Sequence, residues 1–350
     1  MRIQENIALA PLTTLKVGGS ARYFVETTSE GEVLEAVGFA MQSRLPLFVL
    51  GGGSNLVVAD EGWPGLVLKI SIAGIETDGA AGDPVFRVGA GEEWDKFVAQ
   101  AVHENCAGIE CLSGIPGTVG GTPVQNVGAY GQEVSGTIIG VRVLEIATGK
   151  IRDLCNAECG FSYRTSIFNS TRQNQFIVLR VEYRLRRNET SRIEYADLKK
   201  YFANASAPPT LQETRDAVRS IRHSKAMLIV EGDEDCRSAG SFFKNPVVSA
   251  DEANRIQTLA ETRVPGKPLP RYPGVDGQIK LSAAWLVEQS GIHKGYARGP
   301  AAISRKHTLA IVNRGGAAAK DIIVLKNEIQ QRVLDVWDVK LIPEPVFVGF

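Results

Sequence analysis

The sequence lacks the features that would direct the protein to a membrane or to nucleic acid. The chain has 350 residues, and no run of apolar residues in it approaches the roughly 18 that a transmembrane helix requires. The first residues contain no apolar stretch of signal-peptide length, so we expect no leader and a cytoplasmic location. Lys plus Arg and Asp plus Glu number 39 each, so no net charge attracts nucleic acid or a lipid surface. We therefore expect no nucleic-acid partner and no membrane insertion.

Cysteine and histidine are both scarce. The chain has five cysteines, an odd number that indicates reduced thiols rather than a disulfide framework. Cys155 and Cys159 are four residues apart, but neither a histidine nor a second close cysteine pair completes a zinc ligand set. We therefore expect no metal site. All four histidines come after Val102, and this limits how a cofactor can be attached to the first part of the chain.

Length and periodicity predict at least two domains of mixed α and β structure. A helix is predicted after Ser29, with Val33, Leu34, Val37 and Met41 on its buried face. Further helices are predicted at 92–105, 213–223, 251–259, 282–289 and 320–337, and strands at 45–50, 67–70, 86–88, 141–146 and 176–185. Small residues and a proline pair at 204–210 indicate a linker.

A first glycine-rich loop, LGGGSN at 50–55, follows a predicted strand. Gly51, Gly52 and Gly53 allow the backbone to approach a ligand closely and to adopt positive φ. Successive free amides in such a turn can form an anion site, and Ser54 and Asn55 add side-chain donors. Taken alone, the segment could equally be a tight turn between strands.

A second glycine-rich loop, SGIPGTVGG at 113–121, continues into QNVGAYG at 125–131. Two such loops in one domain suit a ligand with two phosphates. Neither is a G-x-G-x-x-G fingerprint that opens a helix, and the segment at 89–94 lacks the third glycine. No G-x-x-x-x-G-K-[ST] motif occurs, so the sequence gives no support for phosphoryl transfer on a P-loop.

The paired loops resemble the FAD-binding domain of the vanillyl-alcohol-oxidase and p-cresol-methylhydroxylase type. Many members of that wider family attach FAD through a histidine in or near the first loop. Because no histidine precedes Val102, we expect non-covalent FAD here. The resemblance implies these cofactor-binding residues: Gly51, Gly52, Gly53, Ser54, Asn55, Gly114, Ile115, Pro116, Gly117, Gly121 and Asn126.

Three polar motifs follow the loops. AGSFFKNP at 239–246 places a serine, a lysine and an asparagine around two aromatics. GFSYRTS at 160–166 places an arginine among aromatic and hydroxyl neighbours, and LIPEPV at 341–346 places one acid between two prolines. Taken alone, the first could be a strand end before an Asn-Pro turn, and the last could be an exposed tail.

Together these motifs resemble the UDP-N-acetylenolpyruvoylglucosamine reductase family over essentially the whole chain. LGGGSN, GIPGTVGG, NVGAYG, YR, SFFKNP and KLSAAWLVEQ occur in the family's order, and IEYADL at 193–198 is similar to its type I branch. The resemblance implies an α+β fold, with a two-lobed FAD-binding domain at 1–205 (core 17–188). A substrate-binding domain at 206–350 would follow, its segment 341–350 returning to the active site.

The resemblance also implies a reaction. NADPH would be the co-substrate, and the enolpyruvyl ether of UDP-N-acetylglucosamine would be reduced to UDP-N-acetylmuramate for peptidoglycan. Ser241 would protonate the α-carbon, while Arg164 and Glu344 would stabilise the charge that develops. A permanently charged arginine suits a substrate carboxylate. Glu344 would help most if it were protonated or bridged to the substrate through water.

Further residues match family positions that bind the nucleotide sugar. They are Tyr195, Lys225 and Asn245, with Arg222 and Tyr130 as additional candidates. Lys225 and Arg222 could also form a solvated helix face. After Lys225, relatives have a short LPDP-like segment where this chain has the longer, acidic AMLIVEGDEDCRS at 226–238. The end of the chain also lacks a charged residue soon after Glu344.

Two other functions stay open on the sequence alone. One is an FAD-dependent oxidase of the same fold that acts on an alcohol or a hydroxy acid. Such an enzyme needs a base rather than a serine acid, so the SFFKNP and PEP motifs speak against it. The other is a catalytically silent nucleotide-sugar binding protein, against which intact Ser241, Arg164 and Glu344 argue. We expect a monomer.

Overall fold

The computed structural model describes residues 1–79, 82–274 and 277–350 and divides the chain into two compact units. The first unit comprises Met1–Ile7, Ser20–Gly53 and Trp63–Leu228. The second comprises Ala8–Gly19, Ser54–Gly62 and Ile229–Phe350. These units are defined by packing, whereas the predicted domains at 1–205 and 206–350 are defined by ligand, and that division stays a prediction.

Side chains cap the N-termini of the helices that begin at Glu30 and Leu211. Ser29 accepts a hydrogen bond from the Glu32 amide, and Thr210 forms a reciprocal capping box with Glu213. In the described ranges the α-helices are α1 (Glu30–Gln42), α2 (Trp94–His103), α3 (Ala196–Tyr201), α4 (Leu211–Ser224), α5 (Ala250–Arg263), α6 (Ala283–Gln289) and α7 (Ala319–Trp337). The periodic pattern therefore predicted six of these helices and missed the short α3.

The predicted buried face of α1 was partly wrong. Val33 and Val37 are buried, as expected, but Leu34 and Met41 are 44% and 55% exposed. Ala36 and Ala40 occupy the buried face in their place. Small alanines allow the helix to lie close to the sheet, so the two larger side chains project outward.

The first unit contains two larger sheets. One has the strand order Gln4–Ala8, Ser20–Thr27, Trp63–Ile70 and Leu47–Leu50, and the last three strands run parallel. The other has five antiparallel strands, in the order Lys150–Cys155, Ile138–Glu145, Phe176–Arg184, Val85–Gly89 and Ile75–Asp78. The first loop therefore begins where a parallel strand ends, an edge where ligands commonly bind.

Helix α2 packs on an aromatic core and supports the second glycine-rich loop. Trp94, Phe97 and Tyr183 are fully buried with ring centroids 5.1 to 5.8 Å apart. Burial of one such side chain stabilises the fold by about 1.5–3 kcal/mol. The Trp94 amide donates to the Gly117 carbonyl at 3.0 Å, and its indole N–H donates to Leu112 at 3.0 Å. The core therefore fixes the backbone of the loop.

The second unit is built from α5, α6 and α7 around short sheets. The antiparallel sheets are Val247–Val248 with Ile279–Leu281 and Arg271–Pro273, and Ala297–Arg298 with Ala301–Ile303 and Ile311–Asn313. The C-terminal strand Val346–Val348 pairs in parallel with Leu56–Val58. The residues after the first glycine-rich loop therefore share a ladder with the end of the chain.

Candidate active site

The two glycine-rich loops touch within the first unit. A Cβ added at Gly52 would lie 2.5 Å from the Cα of Gly117, a separation that no side chain could adopt. A Cβ at Gly51 would lie 3.0 Å from the Oγ1 of Thr118. That hydroxyl is buried and, among the described residues, has no hydrogen-bond partner. A close backbone approach beside an unsatisfied hydroxyl fits the polar edge of a bound nucleotide cofactor.

Gly114, in the second loop, is hydrogen-bonded through both of its backbone groups. Its N–H donates to Oδ1 of Asp95 at 2.6 Å, and its carbonyl accepts from Nε of Arg222 at 3.1 Å. Its φ of +72° is in the left-handed region that favours glycine. Asp95 lies on α2 and Arg222 lies on α4, so two helices hold this one peptide.

Four predicted substrate-binding residues lie together near this peptide. The rings of Tyr130 and Tyr195 pack edge to face at 5.4 Å, and the positive charge of Arg222 lies near Tyr130. Lys225 Nζ lies 2.5 Å from Oδ2 of Asp197, two residues after Tyr195. Burial lowers the pKa of Arg222 and raises the pKa of Tyr130. Arg222 is therefore a buried cation rather than part of a solvated helix face.

Arg164 is fixed by the backbone that leads to Tyr130. Its Nη2 donates to the Gly128 carbonyl at 2.7 Å, and its guanidinium lies 5.6 Å from the ring centre of Tyr163. Its φ is +54°, in the left-handed region that is uncommon for residues other than glycine. An arginine held in this way presents its charge with little rotamer freedom.

Asn126 has a different environment from the glycines predicted to bind the same cofactor. Its Nδ2 donates to Glu133 at 2.9 Å and to the Ser162 carbonyl at 3.0 Å, and its Oδ1 accepts from the Ser135 amide at 3.1 Å. These contacts join the second loop to the segment that carries Arg164. The side chain of Asn126 therefore positions the loop within the protein.

In the second unit, Ser241 lies on a segment that pairs with the Pro-Glu-Pro motif. Phe243 forms an antiparallel bridge with Pro343, and the Glu344 amide donates to the Phe242 carbonyl at 2.9 Å. Phe242 is fully buried, so its side chain anchors the segment in the hydrophobic core. The half-buried Ser241 and Glu344 therefore lie on two adjacent, hydrogen-bonded segments.

Asn55 and Asn245 make side-chain hydrogen bonds that hold the segments around Glu344 and Ser241 in place. Asn55 donates from Nδ2 to the Glu344 carbonyl at 3.2 Å, and its own carbonyl accepts from the Val346 amide at 2.9 Å. Asn245 accepts through Oδ1 from the Ala283 amide at 2.9 Å, at the N-terminus of α6. Asn55 thus holds the segment that carries Glu344, and Asn245 holds the start of α6.

Comparison with known proteins relates both parts of the chain to one enzyme family. Residues 232–348 match the UDP-N-acetylenolpyruvoylglucosamine reductase C-terminal domain, and residues 21–154 match an FAD binding domain. The UDP-N-acetylenolpyruvoylglucosamine reductase of Thermobifida fusca is 47% identical over 349 residues, covering 99% of this chain and 98% of that protein. The one of Streptomyces avermitilis is 42% identical, covering 100% and 96%.

The chain belongs to the UDP-N-acetylenolpyruvoylglucosamine reductase family. The crystal structure of UDP-N-acetylenolpyruvylglucosamine reductase from Thermus caldophilus matches all of both chains with a TM-score of 0.68 and 27% identity. These comparisons confirm the predicted α+β fold, with an FAD-binding domain and the C-terminal domain of this reductase family.

The acidic segment at 226–238, after Lys225, has a defined structure. Asp233 pairs with Lys306 at 2.7 Å, and the buried Asp235 accepts from the Arg305 amide at 3.2 Å. The hydrogen bond between Asp233 and Lys306 lowers the pKa of Asp233 and raises the pKa of Lys306. The Lys306 side chain and the Arg305 backbone amide thus hold the acidic segment in place.

Sequence reasoning on this reductase family member missed Asp95 and Asp197. Neither belongs to a glycine-rich or SFFKNP-like motif, and each acts through a bond to a residue far along the chain. The only sequence signal for Asp197 was its place in IEYADL, two residues after Tyr195.

Among the described residues, no helix combines the length and the apolar character needed to cross a bilayer.

Proposed function

We propose that this family member reduces UDP-N-acetylglucosamine enolpyruvate to UDP-N-acetylmuramate, with non-covalent FAD as cofactor and NADPH as co-substrate. Relatives that carry the reductase name match nearly the whole chain. The observation that carries the proposal is the pairing of two segments: a backbone bond from Glu344 to Phe242 holds the Pro-Glu-Pro segment beside the residue that follows Ser241. An alcohol oxidase has no need of a serine acid held in this way.

The contact between the glycine-rich loops fits FAD. Gly51, Gly52 and Gly53 with Gly114, Ile115, Pro116, Gly117 and Gly121 would line its diphosphate, and the Thr118 hydroxyl would gain a partner. We propose that Ser54 and Asn55 contribute at the end of the first loop, and that Asn126 contributes by holding the second loop. When bound, FAD supplies the hydride transfer that links NADPH oxidation to substrate reduction.

Ser241, Arg164 and Glu344 then have complementary roles. Addition of hydride to the terminal carbon of the enolpyruvyl group leaves negative charge on the α-carbon and its carboxylate. Ser241 donates its proton to that carbon, which is basic enough to accept from a hydroxyl. Arg164 pairs with the carboxylate, and preorganised charges of this kind typically contribute about 3–4 kcal/mol. Glu344 assists as a neutral acid or through a bridging water.

The nucleotide sugar is bound by residues with matching chemistry. Lys225 and the buried Arg222 supply positive charge for a diphosphate or a carboxylate. Tyr130 and Tyr195 supply an aromatic pair, and Asn245 supplies an amide. Because Asp197 neutralises Lys225, an anionic substrate would have to share or replace that contact.

The product assigns the protein to a cellular role. UDP-N-acetylmuramate is a peptidoglycan precursor, so we propose a role in cell wall biogenesis and, through it, in cell shape, cell division and the cell cycle. We propose a cytoplasmic monomer, because the nucleotide sugar and NADPH are soluble metabolites. We propose a cofactor domain at 1–205 and a substrate domain at 206–350, with 341–350 returning to the active site.

The test uses the colour of the purified protein. We expect yellow protein that loses its visible absorbance when NADPH is added without oxygen and regains it when the enolpyruvyl nucleotide follows. Protein that cannot be reconstituted with FAD would contradict the proposal. Protein that recovers its colour rapidly with oxygen and is reduced by an alcohol would instead be an oxidase. Protein that binds the nucleotide sugar without either colour change would be a silent binding protein.

A further inference from the structure

Asp95 joins three elements of the first unit through one partly buried carboxylate. Its Oδ1 accepts from the Gly114 amide at 2.6 Å and from Nη1 of Arg215 at 2.6 Å. Its Oδ2 accepts from Nη2 of Arg215 at 2.9 Å and from Nη1 of Arg219 at 2.5 Å. The carboxylate thus holds the second glycine-rich loop to α2, on which it lies, and to α4, which carries both arginines.

The electrostatics of the site agree with this geometry. Burial by itself would raise the pKa of Asp95, but the hydrogen bonds from Arg215 and Gly114 and the charge of Arg219 keep it below its ordinary value. The side chain of Asp95 is 19% exposed and that of Arg215 is 11% exposed, so solvent screens this pair only partly. The carboxylate that accepts the hydrogen bond from the Gly114 amide is therefore ionised.

The same peptide is held from its other side by α4. Arg222, on the buried face of that helix, donates to the Gly114 carbonyl at 3.1 Å and to the Met227 carbonyl at 2.8 Å. Asp95 fixes α4 through Arg215, two turns before Arg222, and through Arg219, one turn before it. Loss of the carboxylate would therefore free the Gly114 amide directly and loosen the helix that holds the Gly114 carbonyl.

We propose that Asp95 is a positioning residue for the cofactor, which sets the conformation of Gly114 in the FAD-binding loop and couples that loop to the helix carrying Arg222 and Lys225. The proposal rests on the proposed binding of FAD by the Gly114 loop. It assigns Asp95 no contact with substrate or with reacting atoms.

The experiment measures release of FAD from the purified holoprotein on dilution, followed by the rise in flavin fluorescence. We expect Asp95→Ala to weaken FAD binding by about tenfold or more, because a buried amide loses its acceptor. Asp95→Asn keeps an oxygen for the Gly114 amide but loses the charge that Arg215 and Arg219 share. Its loss of affinity should therefore be smaller than that of Asp95→Ala.

Two controls separate positioning from general stability. Asp216→Asn makes the same chemical change on α4, where Asp216 is exposed and accepts a hydrogen bond from Gln212 at 3.0 Å. Arg142→Met removes an ion-pair network with Glu30 and Asp153 in the same unit, away from both loops. Both should retain FAD within about twofold of the wild type. The visible flavin spectrum of each variant is a second readout, because its shape reports the environment of the bound ring.

The outcomes distinguish the proposed role of Asp95 from the proposed binding of FAD. Weaker FAD binding and an altered flavin spectrum in both Asp95 variants, but not in the controls, would support it. It would be overturned if Asp95→Ala retained wild-type affinity or if Arg142→Met weakened binding equally. If Asp95→Ala does not fold, Asp95→Asn decides, and unchanged affinity in that variant would overturn it. Wild-type protein that never binds FAD would overturn the proposed function itself.

Discussion

The Glu344 amide donates a hydrogen bond to the Phe242 carbonyl at 2.9 Å, so the Pro-Glu-Pro segment lies against the residue that follows Ser241. The bond uses only backbone atoms, and Asn55 holds the same segment by accepting from the Val346 amide. Side-chain substitutions at Ser241 or Glu344 therefore leave the pairing of the segments intact. Both positions can be tested without dismantling the structure that presents them.

Replacement of Ser241 by alanine should separate the two halves of the reaction. We expect NADPH to bleach Ser241→Ala at the wild-type rate, because no proton is delivered to substrate in that step. Recovery of colour with the enolpyruvyl nucleotide should slow by about 10²–10⁴, the usual effect of losing a positioned proton donor. Anaerobic stopped-flow absorbance measures both rates.

The matched control for this experiment is Ser249→Ala. Ser249 caps α5 by accepting from the Glu252 amide at 3.2 Å, so its loss should cost about 1 kcal/mol of stability and leave both rates unchanged. If Ser241→Ala recovers its colour as fast as Ser249→Ala does, the proton comes from another group.

Glu344 should act through hydrogen bonding, as a neutral acid or through a bridging water, rather than by placing its negative charge directly beside a developing anion. Glu344→Gln keeps a side chain that can donate a hydrogen bond. We therefore expect its substrate-dependent rate to be about tenfold or more higher than that of Glu344→Ala. The rate of colour recovery with the enolpyruvyl nucleotide measures the difference. Equal rates in the two variants would show that the amide cannot replace the acid and that ionisation is needed.

Local features of the sequence predicted the elements, whereas the contacts between them depend on the fold. The helical pattern after the 204–210 linker predicted a helix from 213, two residues after the observed start of α4 at Leu211. Glycine density located the loops because only glycine permits their close approach at Gly52. No local signal indicates that Asn55 bonds to Glu344, 289 residues away. The acceptor of the Gly114 amide was hidden for the same reason.

Arg164 should require its planar guanidinium and not only its charge. Lysine would keep the positive charge but lose the fork that can bind a carboxylate in two places, as well as the bond to the Gly128 carbonyl. We expect Arg164→Lys to lower kcat/KM for the enolpyruvyl nucleotide by about 10²–10³. Arg172→Lys is the control, since Arg172 lies beside the ring of Phe176 at 5.7 Å. A substantially active Arg164→Lys would mean that a point charge suffices.

Gly52 should be essential for cofactor retention because the loops touch there. A methyl group at this position would lie 2.5 Å from the Cα and 2.8 Å from the carbonyl carbon of Gly117, both backbone atoms. The loops would have to separate, so we expect Gly52→Ala to be purified with little flavin. Gly136→Ala is the control, because an added Cβ there meets nothing within 4 Å. The ratio of flavin to protein absorbance measures the result, and equal ratios would show that the loops do not hold FAD.

The pair formed by Asp233 and Lys306 should stabilise the protein only within a defined pH range. Their hydrogen bond lowers the pKa of Asp233 below 3.8 and raises the pKa of Lys306 above 10.5. The stabilisation is therefore present between those values and is lost as the pH falls through the folded-state pKa of Asp233 or rises through that of Lys306. Because the side chains are 25% and 38% exposed, we expect at most about 1 kcal/mol.

The test compares urea unfolding of the wild type and Asp233→Asn. Asparagine can still accept from the Asp235 amide, so the substitution removes the charge and keeps the local cap. We expect the variant to unfold at lower urea near about pH 7, and we expect the difference to shrink in acid as the pH falls through the folded-state pKa of Asp233, which lies below 3.8. Glu234→Gln should show little difference at either pH, since Glu234 lies 3.9 Å from a largely exposed Arg305. A difference for Asp233→Asn that persisted unchanged in acid would mean that shape, rather than charge, fixes the acidic segment.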